Sequence, residues 1–196
     1  MNQNPSPKVE VDGRSYVFSG NVIPKKLDAF DTYKKMSGEN LSCVDIAAIR
    51  DDVLYLIEVK DYGHTTAEMP LNLPETVTKK IYGALSVLSL LKYAEKDAQS
   101  QTLREEIEFG KSAFSCKQLV VVADIYTSSH SHSSVRNPRP QNLKPTPKAI
   151  KGKLRDKFKK LRIQVQVHID GGQSCGGAVP FWKTSLVSAE RTRRMN

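Results

Sequence analysis

The stretch that decides the reading is Val44-Asp45-Ile46-Ala47-Ala48-Ile49-Arg50-Asp51-Asp52-Val53-Leu54-Tyr55-Leu56-Ile57-Glu58-Val59-Lys60-Asp61-Tyr62. Two apolar runs rich in Val and Ile flank the polar trio Arg50-Asp51-Asp52, which is the pattern of a β-hairpin. Side chains alternate faces along a strand, so Glu58 and Lys60 share a face with Leu54 and Leu56. Tyr55, Ile57 and Val59 take the other. If the turn is the pair Asp51-Asp52, Arg50 faces Val53, and counting back sets Asp45 opposite Glu58. A four-residue loop gives the same pairing, whereas an odd loop breaks it. The even register gathers two carboxylates and one ammonium on one face.

A strand apolar on both faces is expected to be covered on both sides. Burying charged groups there costs several kcal/mol each unless they are paired or hold a metal. Two facing carboxylates repel, and a divalent cation relieves them. Mg²⁺ takes hard oxygen ligands, keeps several waters and is typically held by one or two carboxylates plus a substrate phosphate. A neighbouring lysine can stabilise developing phosphoryl charge or position an attacking water. Metal-assisted phosphodiester hydrolysis is the chemistry this combination implies. The competing reading is a solvated Glu/Lys pair on an edge strand.

Asp45 followed after a short hairpin by Glu58-Val59-Lys60 resembles the PD-(D/E)xK nuclease superfamily, the restriction-endonuclease-like folds. The residue before the Asp is Val44 where the name-giving motif has Pro. The resemblance implies that Asp45 and Glu58 hold Mg²⁺ or Mn²⁺, with the backbone carbonyl of Val59 as a further ligand, and that Lys60 is the catalytic lysine. It also implies an α/β (α+β) fold with an α-β-β-β-α-β core, a mixed central sheet flanked by helices. Nucleases of this group often place an acid on a helix before the core sheet, which makes Asp28 and Asp31 candidates. Many carry another polar position on the helix after the ExK strand, for which Lys80, beside the stripe residue Ile81, fits better than Lys79. Solvated helix charges are the competing reading for all of these. His64, a few residues beyond Lys60, is a further candidate for contact with a substrate phosphate.

The 196 residues suit one domain, and a 39% hydrophobic fraction with 26% charged residues is ordinary for a soluble chain. A formal net charge of +9 suggests a polyanionic partner. Cys43, Cys116 and Cys175 are odd in number and widely spaced, which fits a reducing cytoplasm and no disulfide framework. No apolar run approaches membrane-spanning length, and no signal peptide is visible.

In chain order, residues 1–8 read as a flexible leader and 9–186 as one nuclease-like domain, with its core over 24–126. Residues 9–19 alternate around Asp12-Gly13 as a small hairpin that could supply the third core strand. Residues 24–36 carry Leu27, Phe30 and Tyr33 at helical spacing. A long helix begins near Glu75 or Thr76, striped by Val77, Ile81, Ala84, Leu85, Leu88 and Leu91; helix then continues through Leu103 and Ile107 to a stop at Gly110. Residues 117–126 form a second doubly covered strand, with Asp124 late in it. The segment 127–147 reads as an exposed or partly disordered loop whose His130 and His132 lack supporting ligands and whose Arg136 and Arg139 are candidates for contact with nucleic acid.

Residues 148–161 form a basic amphipathic helix with Ile150, Leu154, Phe158 and Leu161 inward. Lys148, Lys151, Arg155 and Lys159 are its nucleic-acid-binding candidates, against the alternative of a solvated face. Residues 162–169 alternate strictly, with Ile163, Val165, Val167 and Ile169 inward and Gln164, Gln166 and His168 outward. The Gly-rich run 171–177 lacks the Gly-Lys-Ser/Thr of a phosphate loop, and 187–196 is a basic tail. The sequence thus implies a nuclease acting on nucleic acid, DNA first, working as a homodimer or as a subunit of a restriction or anti-phage defence assembly. The opposing class is a nuclease-fold module that binds nucleic acid or protein without cutting.

Overall fold

The computed structural model describes residues 6–36, 41–62, 70–94, 100–127, 146–170, 173–174 and 180–187. In chain order these form β1 (Lys8–Val11), β2 (Arg14–Phe18), β3 (Ile23–Lys26), α1 (Asp31–Met36), β4 (Ile46–Arg50) and β5 (Val53–Asp61). There follow α2 (Leu73–Tyr93), α3 (Gln101–Ser115), β6 (Gln118–Tyr126), α4 (Pro147–Phe158), β7 (Gln164–Ile169), β8 (Gln173–Ser174) and β9 (Trp182–Leu186). Among the described residues no helix is long and apolar enough to cross a membrane.

The central sheet runs β3-β4-β5-β6-β7-β8 and is mixed. β3, β4 and β5 are antiparallel neighbours, β5, β6 and β7 are parallel, and β8 is antiparallel to β7. The two parallel links cross through α2 with α3, and through α4, because parallel neighbours need a long return path. All four helices lie on one face, where Leu54, Leu56, Val121, Ala123, Val165 and Val167 meet Val77, Ile81, Leu88, Ile107, Ile150 and Phe158. The other face, with Ile57, Val59, Val120 and Val122, is covered by a second sheet, β1-β2-β9, through Tyr16, Phe18 and Trp182. The chain is therefore a mixed α/β protein in three layers, which is why β5 and β6 are apolar on both faces.

The same layering accounts for several departures from the sequence reading. Residues 24–36 are not one helix. Ile23–Lys26 pairs with β4, residues 27–29 make a single 3₁₀ turn, and helix begins only at Asp31. Pro24 is tolerated because β3 is the sheet edge, where a missing N–H breaks no ladder. The hairpin around Asp12-Gly13 forms, but in the small sheet, so β3 and not residues 9–19 is the third antiparallel strand of the central sheet. Two strands, β4 and β5, separate α1 from α2, and the third precedes α1.

Gly110 does not end a helix. It lies inside α3, where an added Cβ would sit 2.5 Å from Leu91 Cβ, so it permits α2 and α3 to pack closely. Leu161 falls in a 3₁₀ turn after α4 and is 61% exposed instead of completing the stripe. His168 is buried, with its ring edge-on to Trp182 of β9, because the small sheet covers that face of β7.

Candidate active site

Every strand pairing in the deciding hairpin follows the even register: Arg50 faces Val53 and Ile46 faces Ile57. Asp51 and Asp52 take positive φ values of 49° and 59°, a two-residue turn whose twist matches that of the strands. Asp45 immediately precedes β4, and its Oδ2 accepts the Val59 backbone N–H at 2.7 Å. This charge-assisted bond fixes the carboxylate beside β5. Glu58 projects from β5 toward the helices and is fully buried.

Two ammonium groups meet Glu58. Lys60 Nζ lies 2.7 Å from its Oε1, and Lys80 Nζ, from the second turn of α2, lies 2.8 Å from the same oxygen. Lys80 also reaches Asp45 Oδ1 at 3.6 Å, so one ammonium touches both carboxylates. The second oxygen of Glu58, Oε2, is enclosed and has no hydrogen-bond partner among the described residues. Burial and then the Asp45 charge push the Glu58 carboxyl up from 4.5 to about 7, against the opposing pull of Lys80 and Lys60. Burial pulls Lys80 down, but Glu58 and Asp45 outweigh it and its pKa is raised.

Close backbone packing brings Lys80 to the carboxylates. An added Cβ at Gly83, one turn along α2, would lie 2.0 Å from the Ser42 carbonyl oxygen. Only glycine lets the segment leading into Asp45 run this close to the helix. Two neighbours escaped the sequence reading. Tyr62 lies two residues beyond Lys60, and its hydroxyl is pushed up by burial and by the Glu58 charge. Cys43, buried near Lys80 and Asp28, has its thiol pushed up to about 12 by burial. The alternation that placed Glu58 and Lys60 together extends to Tyr62, so that neighbour was within reach of the sequence.

The remaining candidates lie elsewhere. Asp28 pairs with Lys26 and Asp31 with Lys34, so neither joins the carboxylate pair. The helix that would have aimed them starts too late. Glu106 of α3 instead caps α1, accepting from the Asp31 and Thr32 backbone amides and the Thr32 hydroxyl. Asp124 faces Val59 in register and so points to the opposite layer. There it accepts from the hydroxyls of Tyr16 and Tyr126 at 3.1 and 3.0 Å. His64, His130, His132, Arg136, Arg139 and Cys175 lie outside the described residues. On α4, Lys148, Arg155 and Lys159 are exposed and Lys151 is half-buried; Lys157 pairs with Glu75 of α2 at 3.7 Å.

Among the described residues no group of three or more His, Cys, Asp or Glu side chains is placed to hold a metal ion. The set present, two carboxylates with an oxygen lacking a donor among the described residues, is the hard and sparse kind that Mg²⁺ accepts, since that ion retains most of its waters. It does not suit a softer ion that needs nitrogen or sulfur.

No protein-family model matches the chain, and no solved structure does. Among curated proteins, 127 residues covering 60% of the chain are 31% identical to part of a cysteine–tRNA ligase from Neisseria meningitidis serogroup A / serotype 4A (strain DSM 15465 / Z2491). The chain spans 16% of that ligase's length, so the similarity is to a small portion of it and assigns no family.

Proposed function

We propose that this chain is a divalent-metal-dependent nuclease of restriction-endonuclease-like type, hydrolysing phosphodiester bonds in nucleic acid, with DNA as the leading substrate. The observation that carries the reading is the meeting of Asp45 and Glu58 at one cation position beside Lys60. Asp45, Glu58 and the Val59 carbonyl would hold Mg²⁺ or Mn²⁺. When bound, the ion supplies Lewis-acid stabilisation of phosphoryl charge and activation of water. Lys60, 26% exposed at its side chain, presents its ammonium to the phosphate or to the attacking water. Lys148, Lys151, Arg155 and Lys159 neutralise backbone phosphates along α4. Work as a homodimer or as a subunit of a restriction or defence assembly belongs to the same proposal.

One observation favours a second reading. Two ammonium groups already compensate the two carboxylates, which a catalytically silent binding module could retain for structure alone. Plasmid, linear and single-stranded DNA, and RNA, each incubated with Mg²⁺, Mn²⁺ or EDTA, separate the two. RNA belongs in the panel because the similar portion comes from a tRNA ligase. Cleavage present with metal and absent with EDTA supports the nuclease. Salt-sensitive binding without any cleavage replaces it with the silent module.

A further inference from the structure

We propose that Lys80 is a resident counter-ion that occupies the cation position between Asp45 and Glu58, and that it must leave when a divalent ion binds. It would thereby set the metal affinity of the site. This rests on the metal-dependent reading above and adds the residue that controls loading. Among the described residues four charged groups make up the cluster, and with Glu58 ionised they balance: Asp45 and Glu58 against Lys60 and Lys80. A divalent cation added to that set leaves two excess positive charges in a buried place, where repulsion is poorly screened.

One ammonium therefore has to withdraw, and position distinguishes the two. Lys60 pairs with Glu58 at 2.7 Å, whereas Lys80 bridges both carboxylates at 2.8 and 3.6 Å, where a shared cation would lie. Lys80 also has a way out. Its side chain is 20% exposed, on a flexible four-carbon stem anchored to α2 and not to the ligand strand. Its nearest acid along α2, Glu75, is engaged with Lys157. Lys60 springs from the ligand strand itself, two residues from Glu58, and stays with the pair.

The test is Mn²⁺ titration of the full chain without nucleic acid, followed by calorimetry and by the electron paramagnetic resonance signal of free Mn²⁺. Lys80→Met is expected to bind Mn²⁺ about tenfold or more tightly than the wild type, because the competing charge is gone. Lys60→Met, which removes an equal charge from the same oxygen, should gain less. Lys80→Arg should bind more weakly than the wild type, since a guanidinium fork grips two carboxylates harder than an ammonium. Mn²⁺ should also raise the melting temperature of Lys80→Met more than that of the wild type. If Lys80→Met does not fold, Lys80→Arg decides alone: weaker binding supports the proposal, and equal or tighter binding overturns it. Equal affinities in wild type, Lys80→Met and Lys80→Arg, or an equal gain in Lys60→Met, would discard the counter-ion role while leaving the metal site standing. Absence of Mn²⁺ binding in both wild type and Lys80→Met removes the metal site and the counter-ion role together.

Discussion

Glu58 illustrates what a single buried carboxylate costs. Its native pKa of about 7 lies above the ordinary 4.5, so between these values the folded state holds a proton that the unfolded state has released. Stability on this account falls as pH rises from about 4.5 to about 7, by roughly 3 kcal/mol in total, and is flat above. Glu58→Gln removes that dependence. Denaturation in EDTA should show wild type losing stability relative to Glu58→Gln across this window; parallel profiles would contradict the burial argument. Mg²⁺ should restore stability to the wild type at pH 8 and leave Glu58→Gln unmoved. The pairing of Asp45 with Glu58 was legible in the sequence because an even turn fixes the faces of every residue behind it. Lys80 was only half legible. Helical spacing set it next to Ile81, but its reach to Asp45 depends on a backbone approach that no periodicity encodes.

That approach belongs to the elements. Gly83→Ala would drive a methyl group into the Ser42 carbonyl and push the segment before β4 away from α2. A loss of about 1–3 kcal/mol is expected, as for overpacking elsewhere, with weakened Mn²⁺ binding as Asp45 and Lys80 separate. Gly152 in α4 is the contrast, since an added Cβ there meets nothing within 4 Å among the described residues. Gly152→Ala should stabilise by about 0.5–1 kcal/mol through helix propensity alone. Thermal melts of the two variants moving in the same direction would contradict this account of the helix surfaces. The hairpins, α2 and β6 could be read from turn residues and apolar runs. β3 was missed because Pro24 and two lysines look unlike a strand, and only an edge position makes them acceptable. β9 was missed because Lys183, Thr184 and Ser185 give it no alternation; its hold comes from pairing with β2 and from Trp182.

At the scale of the molecule, the helices lie on one side of the central sheet and the small sheet on the other, and Glu58 points into the helical layer. That layer also carries α4. Replacing Lys148, Lys151, Arg155 and Lys159 with Gln should weaken DNA binding at low salt. The slope of log affinity against log salt should become shallower by about 0.9 for each lost phosphate contact. An unchanged slope would assign these residues to a solvated face. Burial of His168 follows from the small sheet, whose paired strands β2 and β9 come from opposite ends of the described chain. Reading successive segments could not join them.

The central claim is that Asp45, Glu58 and Lys60 form a metal-dependent phosphodiesterase site, and single-turnover cleavage of DNA in Mg²⁺ tests it most directly. Wild type is expected to cut, while Glu58→Gln and Lys60→Ala should lose about 10²-fold or more in rate with DNA binding largely retained. Metal-dependent cleavage surviving both substitutions would contradict the account.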